Sequence, residues 1–415
     1  MRGFLLVLFL FPIILPAQDM TYVRQVVDTL TAPGMHGRGY VNEGDKIAAN
    51  YIAQEFRKLG LDSFGPGYFQ HFSFPVNTFP GGMTVTVNDK LLVPGADYIV
   101  NPASKGGKGT FSFTEVSVPP SKTDQKKLSG RFLLVDKSKT STTGAADSLN
   151  EWKKTENAAG ALFIEENKLT WSVATQQLSM PVIHVLRKAM PEKCSKISIQ
   201  IDAKLNSKHE TQNVLGYIRG NTEPDSFIVI SAHYDHLGRM GREIYFPGAN
   251  DNASGIGMLL SLAAYYATSG NNPGCSMVFI AFAGEEAGLI GSEYYTKNPL
   301  FPLSAIKFVL NMDLLGTGDD GMMVVNGDVF KDHFELLGKI NDKNQYVKTL
   351  GKRGKARNSD HYYFSENGVP SFFFYTLGGT TFYHDIFDKA ETLPYTDFTD
   401  VFRLTRDFIT ELSGQ

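Results

Sequence analysis

The chain has 415 residues, 42% of them hydrophobic and 20% charged, with a formal net charge of −3. That length holds a large core plus a second domain, and the composition is that of a globular, soluble protein. A slightly acidic balance without a long basic run argues against nucleic acid or an anionic membrane surface as the main partner.

The first stretch, "MRGFLLVLFLFPIILPAQ", has a basic Arg2, an apolar run from Phe4 to Leu15, and the small residue Ala17 before Gln18. This is the layout of a signal peptide over residues 1–17, and the run is short for a membrane span. No Cys follows the cleavage point, so a lipid anchor is not indicated. The mature chain is expected to be exported, to the periplasm or the outside, with no stable membrane anchor.

From Met20 to about Leu61 the pattern is helical. Apolar residues in "TYVRQVVDTLTA" and "EGDKIAANYIAQEFRKLGL" recur three and four apart, and Gly60 stands at the natural stop. "FQHFSFPVN" then alternates as a strand does. Residues 18–79 are assigned to the first part of a catalytic domain.

Over 80–208 the texture changes. Short β-like runs ("MTVTVN", "GTFSFTEV", "GRFLLVDK", "ISIQID") alternate with polar turns, and one helical piece, "SLNEWKKTENAAGA", leads into "ALFIEEN". The order "GRFLLVDK … WKKTENAAGALFIEEN … MPVIHVL" resembles the protease-associated (PA) domain inserted into many secreted peptidases. From 209 to 415 strands and helices alternate again, with strands at "FIVISAH", "SMVFIAFA", "IKFVLNMD" and "SFFFYT". Apolar strands separated by amphipathic helices predict an α/β fold: a largely parallel mixed sheet sandwiched by helices, with an inserted β-rich domain. The run "FFFY" at 372–375 reads as core, and "KRGKAR" at 352–357 as a solvated loop within reach of an anionic substrate group.

Sites in such sheets form beyond the carboxyl ends of the strands. There "FIVISAH" ends in His233, followed by Asp235 and His236. "MVFIAFAG" runs into Glu285 and Glu286, and "IKFVLNM" into Asp313. A Gly-Gly-Thr-Thr loop after "SFFFYT" carries Tyr383 and His384, and "GANDNASG" places Asp251 at a helix start. Singly, each has an ordinary structural explanation: Asp251 a helix cap, His233 a hydrogen-bonded interior residue, Asp313 an ion-pair partner. Together they concentrate negative charge that needs compensation, and a divalent metal held by His and carboxylates supplies it.

"AHYDHLG", "GANDNASG", "GEEAGLIGS", "NMDLLG", "SDHYYF" and "FYHDIFD", in this order, resemble the M28 family of co-catalytic zinc aminopeptidases. The resemblance implies two Zn2+ per chain bridged by Asp251, with His233 and Asp313 completing one ion and Glu286 and His384 the other. It implies Glu285 as general base and acid, Asp235 as the carboxylate orienting His233, and Tyr383 as a donor to the developing oxyanion. His236 and His361 match no ligand and read as wall or structural residues. The implied substrates are peptide or protein N-termini, attacked by a water activated between the two ions.

A di-zinc carboxypeptidase of the same fold stays open as an alternative. A glutaminyl cyclase-like enzyme works with a single zinc, against which the full ligand set argues. A serine or thiol hydrolase is disfavoured, because no G-x-S-x-G occurs and neither Cys194 nor Cys275 has a convincing histidine. "KGGKGT" lacks the spacing of a phosphate loop. Pairing of the two cysteines and oligomeric state are not legible from one sequence.

Overall fold

The computed structural model describes residues 18–117, 128–136, 138, 157–268, 270–271 and 273–413. The expected signal peptide lies outside the described residues, as does the helical piece at 148–161 up to residue 156.

Eight strands build the sheet that carries the site: β1 (Phe69–Thr78), β2 (Lys204–Ile218), β3 (Glu223–His233), β4 (Cys275–Phe282), β5 (Ile306–Met312), β6 (Gly321–Val325), β7 (Leu350–Arg353) and β8 (Ser371–Leu377). They lie in the order β1-β2-β4-β3-β5-β8-β6-β7. The four central strands, β4, β3, β5 and β8, run parallel, while the β1/β2, β2/β4 and β6/β8 pairs are antiparallel. This is the α/β mixed sheet expected from the alternation of elements.

Both faces are covered, which explains why β4 ("CSMVFIAF") is buried at every position. Ile228, Ile230, Phe308, Leu310 and Phe372 join Val23, Val26 and Leu30 of the helix Met20–Thr31, Leu259 of Ser254–Ala267 and Phe408 of Phe398–Ser413 in one core. On the opposite face Val229, Val278 and Val309 meet Tyr295 of Ile290–Lys297 and Phe364 of His361–Glu366. Each such fully buried side chain contributes about 1.5–3 kcal/mol relative to exposure.

Local signals agree with these boundaries. Asp19 caps the first helix, its Oδ1 accepting from Thr21 N at 2.9 Å and Tyr22 N at 3.3 Å. After the helix Gly44–Lys58, Gly60 takes φ +74°, letting its N–H reach Arg57 O and Leu61 N–H reach Phe56 O. Those two bonds satisfy two of the last turn's carbonyls.

A second eight-stranded sheet uses strands between Met83 and Ile201. Its middle strands, Gly107–Val116, Phe132–Asp136, Gly160–Glu165 and Val182–Leu186, run parallel, so it is mixed as well. The chain leaves the first sheet after β1 and returns in β2, where Thr78 pairs with Lys204. This sheet is inserted into an antiparallel pair. Leu237, Met240 and Phe246, from the loops after β3, share its core with Val85, Tyr98 and Ile199, so the two sheets are joined by common apolar packing.

The reading of "FFFY" as core holds for its three buried phenylalanines, whereas Tyr375 is half-buried. Side chains alternate along a strand, so Phe372 and Phe374 enter the core while Phe373 and Tyr375 line the cleft beside Glu285 and Asp313. Cys194 and Cys275 are both free thiols.

Candidate metal centre

Parallel strands in register end at one edge, and this sheet places its chemistry there. His233 pairs with Phe282, Ser231 with Asn311, and Met312 with Phe374, so the carboxyl ends of β3, β4, β5 and β8 are level. The residues following these ends converge. Asp251 enters from the loop before the helix Ser254–Ala267.

His233 is 1% exposed. Its Nδ1 donates to the Asp235 carbonyl at 3.1 Å, which leaves Nε2 facing Asp251 Oδ1 and Asp313 Oδ2, each at 3.4 Å. His384 repeats the pattern. Its Nδ1 donates to the Trp171 carbonyl at 2.9 Å, and Nε2 faces Asp251 Oδ2 at 3.0 Å and Glu286 Oε2 at 3.3 Å. Asp251 thus turns one oxygen to each histidine–carboxylate pair.

These separations discriminate between two explanations. A charge-assisted N–H···O bond closes to about 2.7–2.9 Å, whereas zinc bonds of about 2.0–2.1 Å in a tetrahedral shell set ligand–ligand edges near 3.3 Å. Three of the four contacts are 3.3–3.4 Å and the fourth is 3.0 Å. The buried Asp313 Oδ1 has no hydrogen-bond partner, as expected of an atom beside a cation. The donor set fits zinc.

Electrostatics point the same way. Asp235, Asp251, Glu285, Glu286, Asp313 and Asp360 crowd one region. Burial, reinforced by Asp360, Glu286 and Asp313 against the opposing His233, pushes the Glu285 carboxyl well above the usual range. Burial raises Asp360 to about 7. Glu285 makes no hydrogen bond through its carboxylate among the described residues, and it stands with His233 and Asp313 as a possible ligand group.

The surrounding residues hold this arrangement. Asp235 accepts Tyr40 OH at 2.8 Å and the backbone N–H groups of Glu285 and Glu286 at 3.1 and 3.3 Å, while its carboxylate stays 3.8 Å from His233 Nδ1. It positions the glutamate pair directly and His233 through its carbonyl. His236 bonds Glu286 Oε1 at 2.7 Å, a hydrogen-bond length, consistent with support of Glu286. His361 is buried against Phe373, with burial holding its imidazole down to about 3. Tyr383 stacks on His384 with centroids 4.0 Å apart and lines a cavity of about 190 Å³ with His233, Asp251, Glu285 and Asp313. A larger cavity of about 570 Å³ lies between the second sheet and Ala287, lined by Ile99, Leu169, Val173 and His184.

Two supports were not assigned from the sequence, although Asp388 falls within the quoted "FYHDIFD". Arg38 is fully buried and donates to the carbonyls of Tyr234, Leu30, Pro247, Gly248 and Asp251. Asp388 accepts the backbone N–H groups of Asn250 (2.8 Å) and Asp251 (3.0 Å). Gly248, at φ +60°, brings the chain close beneath them, where a Cβ would stand 2.2 Å from Asp251 O.

Residues 213–409 match the model of peptidase family M28. That stretch is an M28 peptidase domain. A probable zinc metalloprotease of Pyricularia oryzae is 39% identical over 113 residues, 26% of this chain and 22% of that protein. Aminopeptidase YwaD of Bacillus subtilis is 24% identical over 286 residues, 66% of this chain and 57% of that protein. The chain thus spans between about a fifth and somewhat over half of these curated relatives. A solved zinc aminopeptidase from Bacillus subtilis superposes with TM-score 0.73 at 19% identity, covering 96% of each chain. A Peptidase M28 precursor from Shewanella amazonensis gives 0.71 at 15% identity, covering 95% of this chain and 93% of that one. At such identities the likeness speaks for the fold. His233, Asp251, Glu285, Glu286, Asp313, Tyr383 and His384 all lie within the M28 segment; Arg38, Tyr40 and Trp171 precede it.

Proposed function

We propose that this chain is an exported zinc aminopeptidase that hydrolyses the N-terminal bond of peptides. Asp251, turning one oxygen to His233 and Asp313 and the other to His384 and Glu286, carries this reading. In it Asp251 would be shared between two zinc ions, with His233 and Asp313 as the residues that would hold one, and Glu286 and His384 the other. When bound, the ions polarise the scissile carbonyl and acidify water.

The protein's own groups do the rest. Glu285, unligated in this assignment, takes the proton of the attacking water and passes it to the amine nitrogen as the C–N bond breaks. Tyr383, facing the cavity beside His384, donates to the oxygen that gains charge. Tyr40 and Asp235 keep the glutamate pair oriented through the backbone bonds described above. The inserted sheet, over about residues 80–208, is read as PA-like, and residues 1–17 as an export signal. No helix among the described residues is long and apolar enough to cross a membrane.

The acidic surroundings of the cleft suit a free α-ammonium group. An N-acetylated peptide loses a charge-assisted contact worth about 1.5–3 kcal/mol, so kcat/KM should fall by about 10- to 150-fold. Paired assays of free and acetylated peptides check this. Efficient trimming of the acetylated peptide from its C-terminus would favour a carboxypeptidase instead.

A further inference from the structure

His384 belongs to a stretch that cannot hold itself. From Gly378 to Asp388 there is neither helix nor strand, and Gly378 and Gly379 have φ of +81° and +73°. His384 itself sits at φ +55°, the left-handed region that favours glycine, so contacts from outside must maintain it. Those contacts come from the inserted sheet. In the loop between its strands Gly160–Glu165 and Val182–Leu186, Trp171 N–H donates to His384 O at 3.0 Å, and Trp171 O accepts His384 Nδ1–H at 2.9 Å. Three residues earlier, Lys168 Nζ donates to Thr381 O at 2.8 Å and pairs with Asp385 Oδ2 at 2.8 Å. The strap grips the loop on both sides of His384.

The strap is itself anchored. Trp171 is 4% exposed, its indole N–H donates to Val100 O at 2.7 Å, and its ring stacks on Phe246 with centroids 4.7 Å apart. Val100 belongs to the inserted sheet and Phe246 to the catalytic fold, so the indole is fixed where the two meet.

We propose that the segment Lys168–Trp171 of the inserted sheet is a built-in part of the metal centre, with Trp171 as a positioning residue for His384. The proposal rests on the two-zinc reading above. By accepting the Nδ1–H hydrogen bond, the Trp171 carbonyl fixes the tautomer in which Nε2 is unprotonated, its lone pair aimed between Asp251 and Glu286. Lys168 fixes the backbone that carries it. The inserted domain is therefore required for one of the two ions, beyond any part it plays in guiding substrate. His233, by contrast, is held by Asp235 O from its own strand end and is independent of the insert.

The test is zinc titration of the chelator-stripped, full-length chain against a competing chromophoric chelator, with melting temperature recorded in parallel. Trp171→Ala should weaken one ion by about 10- to 100-fold, the usual effect of losing a group behind a ligand, and leave the other unchanged. Trp171→Phe keeps the stack on Phe246 and should weaken the same ion less. Lys168→Met, at a side chain 38% exposed, should fold normally and weaken that ion by a smaller factor, which decides the matter if Trp171→Ala does not fold. Val85→Ala, in the same core cluster, should lower the melting temperature and leave both affinities intact. The proposal is overturned if Lys168→Met and Trp171→Ala bind both ions as the wild type does, or if Val85→Ala weakens zinc as much as Trp171→Ala. A wild-type chain saturating at one ion would instead overturn the two-zinc reading. If Trp171→Ala then held that ion unchanged, this proposal would fall with it.

Discussion

Glu285→Gln should retain its metal and its substrate affinity while kcat falls by about 10²- to 10⁴-fold, the usual contribution of a positioned general acid–base. Glutamine keeps the shape of the side chain and cannot accept the proton. Burial holds the Glu285 carboxyl well above the usual carboxylate range. Glu286→Gln should behave differently. Its Oε2 faces His384 at 3.3 Å and its Oε1 is held by His236, so this change should cost affinity for one ion, with activity partly restored by added zinc. Steady-state kinetics and elemental analysis of both variants separate the roles. Because Glu285 also stands within ligand range of His233 and Asp313, the opposite pattern, with metal lost from Glu285→Gln and kept by Glu286→Gln, would reverse the assignment.

Arg38→Met should be the most destabilising of the substitutions considered for the site, by about 3–5 kcal/mol, the range for stripping a partner from a buried charged network. Burial lowers the guanidinium to about 10, still protonated at neutral pH, with Asp251, Asp388, Asp235 and Glu286 opposing that shift. It is the one buried arginine among the described residues, and it organises carbonyls from the first helix, from β3's end and from the loop leading to Asp251. Methionine would fill the stem's volume and withdraw a donor from each of five carbonyls, of which Gly248 O would keep the Ala253 N–H. The shift of the urea midpoint measures this, and a loss under about 1 kcal/mol, typical of a surface change, would contradict it.

The sequence was most legible where spacing has one physical meaning. Buried strands announce themselves as apolar runs, and parallel strands must deliver their ends to one edge, so His233, Glu285, Glu286, Asp313 and Asp251 could be gathered without coordinates. His384 was gathered with them as a residue of the loop after "SFFFYT", but nothing in the irregular "LGGTTFYHD" fixes where that loop lies, so the pairing of its imidazole with Glu286 came from the resemblance. Its strap, Trp171, sits 213 residues away, in a different sheet, and acts through its backbone. No side-chain pattern encodes such a contact. Arg38 was hidden for a similar reason, since its partners are carbonyls, which every residue owns. That the buried Phe373 and the half-buried Tyr375 line the cleft was not legible, because an unbroken aromatic run conceals alternation: one face of the strand joins the main core and the other the cleft. Asp388 lay inside a quoted motif and Tyr40 did not, and a role for either needed the distance to Asp235 or to the Asp251 N–H.

Asp251 is proposed to join two cation sites. Zinc titration of the stripped, full-length protein, for wild type, Asp251→Asn and His384→Ala, tests it most directly. Two ions are expected for the wild type, weakened binding of both in Asp251→Asn, and loss of one in His384→Ala. Saturation of the wild type at a single ion, or loss of one ion alone in Asp251→Asn, would contradict it.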